Sequence, residues 1–131
     1  MIQTPVCKLL DIDYPIALGG MGSATSPELV SAVSNAGGLG ALGCHYLTPE
    51  QIGERTTAIR GQTNKPFGLN FLLFDTREDS FAAALEFRPA VMQFAWARPQ
   101  QLPIVVFPGC GHFFHGRLPQ LQRTIAGMWQ R

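Results

Sequence analysis

The chain carries little charge and has no block of like-charged residues. Of its 131 residues, 10 are basic and 9 are acidic, so the formal net charge is +1. A protein that binds nucleic acid normally presents a basic patch or stripe to the phosphate backbone. Nucleic acid is therefore not an expected partner.

Long apolar runs are also missing from the sequence. No segment approaches the roughly 18 consecutive apolar residues of a membrane span. The N-terminal segment, with Lys8, Asp11 and Asp13, lacks the basic start and apolar centre of a signal peptide. We therefore expect no membrane association and a cytoplasmic location.

The cysteines are few and follow no pairing pattern. Cys7, Cys44 and Cys110 form an odd set without C-x-x-C spacing, which is typical of free thiols in a reducing compartment. Cys110 stands near His112 and His115, and thiolate with imidazole suits zinc, but a closed zinc site needs a fourth ligand. We expect neither a structural disulfide nor a bound metal.

Short apolar runs alternate along the chain with amphipathic helical patterns. Five strands are predicted, at residues 15–18, 39–42, 66–74, 90–94 and 104–107. Four helices are predicted, at residues 27–36, 49–60, 80–87 and 118–128. This alternation favours βαβ crossovers and a parallel sheet. A (β/α)8 barrel needs about 250 residues, so the chain has room for roughly half of one.

The predicted helix starts rest on recognisable capping residues. Ser26 precedes Pro27, Thr48 and Gln51 have the spacing of a capping box, and Asp79 precedes the third helix. The apolar face expected for the first helix consists of Leu29, Val30, Val33 and Ala36.

A glycine-rich turn follows the first predicted strand. Residues 19–23, Gly-Gly-Met-Gly-Ser, stand at the carboxyl end of that strand, where α/β enzymes place their ligands, and glycines let backbone groups approach a flat ring. The spacing departs from the G-x-G-x-x-G fingerprint at Thr25, and no lysine follows as in a P-loop. A plain tight turn is the alternative interpretation.

Asn70 is a polar residue within an otherwise apolar strand. A buried amide costs roughly 1 to 3 kcal/mol unless its hydrogen bonds are made, so this side chain needs a partner. A ligand is one candidate, and neighbouring backbone is the other.

Three segments resemble the N-terminal strands of the nitronate monooxygenase family, which are flavin-dependent (β/α)8 barrels. They are YPIALGGMG at residues 14–22, AVSNAGGLG at 32–40 and KPFGLN at 65–70. The resemblance implies FMN as cofactor, with the backbone of Gly20, Met21 and Gly22 against the flavin ring and Asn70 as a further FMN contact. It also implies an alkyl nitronate as the small-molecule substrate. The family's catalytic histidine and phosphate-binding loops lie beyond the matched part, so the catalytic residues are unknown.

The C-terminal segment has a different likeness. GHFFHGRL at residues 111–118 resembles the histidine loop of an α/β-hydrolase, with His112 in the place of the catalytic histidine. No G-x-S-x-G nucleophile motif occurs in the chain, so a normal hydrolase triad is not expected. A proline-containing connector at residues 96–103 divides the predicted single domain, 1–131, into parts 1–100 and 101–131.

The sequence thus predicts an α/β protein with a partial, half TIM-barrel-like parallel sheet of about five strands and flanking helices, not a complete barrel. The first functional hypothesis is an FMN-binding, nitronate monooxygenase-like oxidoreductase fragment that is inactive or depends on oligomerisation. A homo-oligomer is expected because the open edge of a sheet recruits further strands. The alternatives are a noncatalytic α/β self-association domain and an α/β-hydrolase remnant.

Overall fold

The computed structural model describes residues 3–74 and 76–95. Within them the helices are α1 (Pro5–Leu10), α2 (Pro27–Asn35), α3 (Pro49–Gln62) and α4 (Glu78–Glu86), with a short 3₁₀ helix at Gly22–Ala24. The strands are β1 (Gly40–Gly43), β2 (Phe67–Leu72) and β3 (Val91–Ala95). The predicted strand at 104–107, the final helix, the connector and His112 lie outside the described residues.

The three strands form one parallel sheet in the order β1-β2-β3. Gly43 lies opposite Asn70 at the end of β1, and Leu72 lies opposite Ala95 at the end of β2. The alternation of helix and strand and the parallel sheet predicted from the sequence are therefore confirmed over this part of the chain.

The first predicted strand is shorter than expected. It is reduced to a single parallel bridge between Ala17 and Leu39, in which the amide of Leu18 donates to the carbonyl of Leu39 at 2.8 Å. The amide of Ile16 donates instead to the carbonyl of Tyr14 at 2.8 Å, which ends the ladder on the N-terminal side. The segment still enters the sheet beside β1 and points its glycine turn towards the carboxyl ends of the strands.

The core lies between the sheet and helices α2, α3 and α4. Its fully buried members from the helices are Val30, Ile52, Ile59 and Ala84, and from the strands Leu42, Leu69 and Phe71. At the β3 side of the sheet three phenylalanines, Phe71, Phe81 and Phe94, have ring centroids 5.6 to 6.3 Å apart. Such aromatic contacts add to the stabilisation that comes from the buried area.

The predicted start of α2 is confirmed, but its predicted apolar face is buried only in part: Val30 is fully buried, Val33 is partly buried and Ala36 is exposed. Ser26 accepts the amide of Leu29 as N-cap. Leu29 is 38% exposed, whereas Ser31 and Ser34 are buried. The Ser34 hydroxyl donates to Pro66 at 2.9 Å and accepts the Gly40 amide at 3.1 Å. Because these hydroxyls are bonded, the helix can turn serines inward without the cost of unpaired polar groups.

The predicted cap of α4 is also wrong. The helix begins at Glu78 with Arg77 as N-cap, and no side chain makes a cap hydrogen bond. Asp79 instead pairs with Arg77 at 2.6 Å, which holds the pKa of this carboxyl below its usual value. Both side chains are exposed, so the pair contributes little to stability.

Helix α3 begins with the predicted capping box. The Thr48 hydroxyl accepts the Gln51 amide at 3.3 Å, and the Gln51 side chain accepts the Thr48 amide at 3.0 Å.

We expect Thr48→Ala to lower the free energy of unfolding by about 1 kcal/mol, because one helix N–H loses its partner. Urea denaturation followed by circular dichroism measures this. Thr57→Ala, on an exposed site in the same helix, is the control, and an equal effect of the two changes would contradict the capping role.

None of the helices among the described residues is long and apolar enough to cross a membrane.

Candidate functional site

The carboxyl ends of the parallel strands gather the loops that follow them on one edge of the sheet, the usual ligand edge of an α/β protein. The loop after the Ala17 bridge is the glycine turn of residues 19–23. The loop after β1 contains Cys44, His45 and Tyr46, and Asn70 lies near the end of β2. These three segments form the candidate site.

Gly20 lies directly against Asn70. A Cβ atom added to Gly20 would stand 2.2 Å from Asn70 Cβ and 2.4 Å from Asn70 Oδ1, so any larger residue would force the two segments apart. Asn70 is 7% exposed, and its Oδ1 has no hydrogen-bond partner. The structure thus brings together two of the residues that the sequence selected. It also leaves a buried acceptor unpaired at their contact.

Gly22 makes the second close contact of the turn. Its φ of +56° is in the left-handed region, and an added Cβ would stand 2.4 Å from His45 Cε1 and 2.9 Å from His45 Nε2. The imidazole of His45 therefore lies against the Gly22 backbone. Like Asn70 Oδ1, His45 Nδ1 is buried and has no hydrogen-bond partner.

Thr25 fastens the glycine turn to β1. This residue is fully buried, and its hydroxyl donates to the carbonyl of Gly22 at 2.9 Å while it accepts the amide of Gly43 at 2.8 Å. A Cβ added to Gly43 would meet the amide nitrogen of Gly22 at 2.4 Å. The Thr25 side chain therefore holds the turn to the sheet. Gly22 and Gly43 allow the close approach because neither has a side chain.

Sequence reasoning missed Thr25 and His45 as parts of this site. In the sequence Thr25 stands out only as the residue that interrupts a glycine fingerprint, and the hydroxyl bridge depends on a contact between segments 18 residues apart. His45 had one usable signal, its place immediately after the second predicted strand, where a parallel sheet puts side chains on the ligand edge.

Met21, the remaining predicted residue, is placed differently from its two glycine neighbours. Its side chain is 55% exposed. Tyr46 and Phe74, which follow β1 and β2, are also exposed. Three large, exposed side chains, Met21, Tyr46 and Phe74, therefore belong to the loops at the ligand edge of the sheet.

Cys44 is a poor nucleophile in this setting. It is buried, its thiol donates to the carbonyl of Leu42 at 3.5 Å, and burial raises its pKa to about 12. The thiol is therefore protonated at neutral pH. No group of three His, Cys, Asp or Glu residues able to hold a metal occurs in the part of the chain that the structure describes. The Cys110, His112 and His115 cluster lies outside it.

The residues of this edge fit a flat, polar-edged ring such as that of FMN. Gly20 is partly exposed, Gly22 is buried beside His45, and a Cβ at either position would collide with Asn70 or His45. Asn70 Oδ1 and His45 Nδ1 are unpaired polar atoms that a ligand can satisfy. None of these four residues carries a permanent positive charge, so they supply no grip for the phosphate group of FMN.

The chain is similar to known proteins. The family profile described as nitronate monooxygenase matches residues 3–105. A probable nitronate monooxygenase of Staphylococcus saprophyticus is 39% identical over 72 residues, which are 55% of this chain and 20% of that protein. A Mycobacterium tuberculosis protein, (3aS,4S,5R,7aS)-5-hydroxy-7a-methyl-1-oxo-octahydro-1H-indene-4-carboxyl-CoA dehydrogenase, is 34% identical over 125 residues, 88% of this chain and 35% of its own length.

Two solved structures superpose on most of this chain and therefore share its fold. FabK from Thermotoga maritima superposes with a TM-score of 0.72 at 35% identity, over 77% of this chain and 33% of its own. Nitroalkane oxidase from Streptomyces ansochromogenes superposes with a TM-score of 0.58 at 23% identity, over 70% and 35%. The chain therefore spans between a fifth and about a third of the relatives that it matches. With the profile matching most of its residues, the chain belongs to the nitronate monooxygenase family of flavin-dependent oxidoreductases.

Proposed function

We propose that this chain is an FMN-binding, nitronate monooxygenase-like oxidoreductase whose active site is completed by association with another copy of itself. Its FMN contacts are the backbone of Gly20, Met21 and Gly22 and the side chain of Asn70. The substrate class is an alkyl nitronate, as the family name implies.

The observation that carries the proposal is the contact between the glycine turn and Asn70. Gly20 has no room for a side chain beside Asn70, and the Asn70 amide keeps an unpaired buried Oδ1. An unpaired buried acceptor costs about 1 to 3 kcal/mol. A ligand that donates a hydrogen bond there removes this cost, which supports a binding role for both residues.

The proposed contact residues among those that the structure describes would bind and orient rather than transfer protons. FMN held by these residues would supply the redox chemistry between nitronate and oxygen. The backbone of Gly20, Met21 and Gly22 would border its ring, the Asn70 side chain would hold its polar edge, and the exposed side chains of Met21 and Tyr46 would line the approach. None of these residues is proposed as the base that takes a proton from the substrate.

The exposed edge of the first strand segment, around Ala17, supports association with a second copy. Among the described residues, this segment is hydrogen-bonded to Leu39 on one side only. Ile16 is 63% exposed, and Tyr14 is also exposed. Unpaired strand edges readily take up another strand, so a second copy is the proposed partner. The same edge supports the alternative function, a noncatalytic domain that only self-associates.

Size-exclusion chromatography with excess FMN tests the proposal. We expect flavin absorbance to elute with a protein peak whose molar mass is that of a dimer or a larger assembly. Oxygen consumption with an alkyl nitronate is then measured on that peak. If the protein elutes as an oligomer without flavin, the oxidoreductase proposal is rejected and the self-association domain is retained. If it elutes as a monomer without flavin, both proposals are rejected. Ester hydrolysis lost in His112→Ala would support the hydrolase alternative.

A further inference from the structure

We propose that His45 is a second side-chain contact for flavin. Its Nδ1 atom forms a hydrogen bond to the ligand at the same site as Asn70. This inference rests on the proposed FMN site. It assigns a role to a residue that neither the glycine turn nor the resemblance singled out.

The first support is the pair of unpaired atoms. Within the described residues, buried side-chain atoms without a hydrogen-bond partner are His45 Nδ1, Asn70 Oδ1 and Thr56 Oγ1. Two of these three lie against one turn, since Gly20 touches Asn70 and Gly22 touches His45. Unpaired buried polar atoms are few in native proteins, and two at one place call for a common explanation. A ligand with polar groups along one edge provides it.

The second support is the nature of the cover. His45 Nδ1 and Asn70 Oδ1 are covered in the ligand-free chain, and the neighbouring backbone is that of Gly20 and Gly22. Glycine backbone has the widest choice of conformations, so Gly19 and Gly20 can move away from Asn70 at low cost. Gly22 is held to β1 through the Thr25 hydroxyl, so access to His45 Nδ1 comes from rotation of the imidazole, which is only partly buried. With these two local movements both polar atoms gain partners in the ligand.

The third support is the chemistry of imidazole. A neutral histidine presents one N–H donor and one acceptor nitrogen. Asn70 Oδ1 is an acceptor only. The two residues together can thus match a ligand edge that contains both an N–H donor and a carbonyl acceptor. The ring edge of flavin alternates such groups, which makes FMN a suitable occupant.

Two substitutions at position 45 separate a binding role from a structural one. His45→Leu removes both ring nitrogens, and we expect the Kd for FMN, measured by quenching of flavin fluorescence, to rise about tenfold because one hydrogen bond is lost. The visible absorption bands of bound flavin should shift as well. His45→Asn places an amide near the position of Nδ1, and we expect it to restore the affinity to within about threefold of the original protein.

Thr56→Val is the matched control, because it removes the third buried unpaired atom from helix α3 rather than from the ligand edge. Its Kd and flavin spectrum should equal those of the unaltered protein. The midpoint of urea unfolding, recorded for each variant, shows that the folded state is retained. If His45→Leu fails to fold, the affinity of His45→Asn compared with His45→Gln decides, since Gln mimics Nε2 and should bind more weakly.

The outcomes distinguish the two proposals. If the unaltered protein binds FMN and His45→Leu has the same Kd and spectrum, the role of His45 is overturned and the proposed FMN function stands. Unaltered protein that binds no FMN would overturn the FMN function and the inference with it.

Discussion

Gly40→Ala is expected to lower the free energy of unfolding by about 3 kcal/mol, because the added methyl group has no space. Gly40 begins β1, and a Cβ atom at this position would stand 2.2 Å from the carbonyl oxygen of Val30 and 2.7 Å from the hydroxyl of Ser34. The first of these atoms belongs to the backbone of α2 and cannot rotate away. Overpacking of this kind typically costs about 1 to 3 kcal/mol and sometimes more, so the expected loss is at the upper end of that range.

The loss matters because a small domain has only about 5 to 15 kcal/mol of stability in total. Ser34 also joins α2 to two other elements, since it accepts the Gly40 amide and donates to Pro66. Moving α2 away from Gly40 would break these hydrogen bonds as well. The expected result is a large fall in the urea concentration at the midpoint of unfolding.

Gly61→Ala is the matched control for this change. Gly61 lies in the last turn of α3, and an added Cβ would meet no atom within 4 Å. Replacement of a helical glycine by alanine should raise stability by about 0.5 to 1 kcal/mol. The two methyl groups therefore have opposite expected signs, and a Gly40→Ala protein as stable as the original would show that α2 does not pack on β1 in this way.

Much of the fold was predictable because its signals are local. The cap at Ser26 and the capping box of Thr48 and Gln51 are short-range hydrogen-bond patterns, and their outcome follows from three or four neighbouring residues. The apolar runs of β1, β2 and β3 were long enough to mark buried parallel strands. Their ends differ from the prediction by one to two residues, which is the normal uncertainty of strand and helix ends.

One error arose where contacts between distant segments decide, and the other where a local ion pair replaces a helix cap. Ser34 is buried because Gly40 and Pro66 provide partners for its hydroxyl, and neither is visible in the local pattern of α2. Asp79 has the residue type of an N-cap, yet it lies in the first turn and bonds to Arg77. A hydrophobicity pattern assigns serine to the surface and aspartate to the cap. Tertiary hydrogen bonds overrule the first assignment, and the pairing of Asp79 with Arg77 two residues away overrules the second.

The candidate site was predictable in its parts but not in its arrangement. The glycines and Asn70 were selected by residue type and by resemblance, and the structure brings Gly20 and Asn70 into contact. Their roles towards FMN stay predictions. His45 was not selected for the flavin site, because its place after the second predicted strand does not by itself distinguish a ligand contact from an ordinary loop residue. Only the contact with Gly22 assigns it to the ligand edge.

Asn70→Leu is expected to separate stability from flavin binding with opposite signs. Leucine has nearly the shape of asparagine without its polar atoms, so the substitution removes the unpaired Oδ1 and leaves the contact with Gly20 in place. Removing an unpaired buried polar group should raise the free energy of unfolding of the ligand-free protein by about 1 to 2 kcal/mol. The Kd for FMN should rise more than about tenfold, because the ligand loses a buried hydrogen-bond partner.

Urea unfolding without flavin and fluorescence titration with FMN measure the two effects on the same preparations. Asn64→Leu is the control, since Asn64 is exposed and the same chemical change there should leave the Kd unchanged and alter stability by less than about 0.5 kcal/mol. A loss of both stability and affinity in Asn70→Leu would mean that Asn70 is a structural amide satisfied by the protein itself. A gain in stability with a loss of affinity is the pattern of a site that keeps a polar atom unpaired for its ligand, as binding sites often do at the expense of stability.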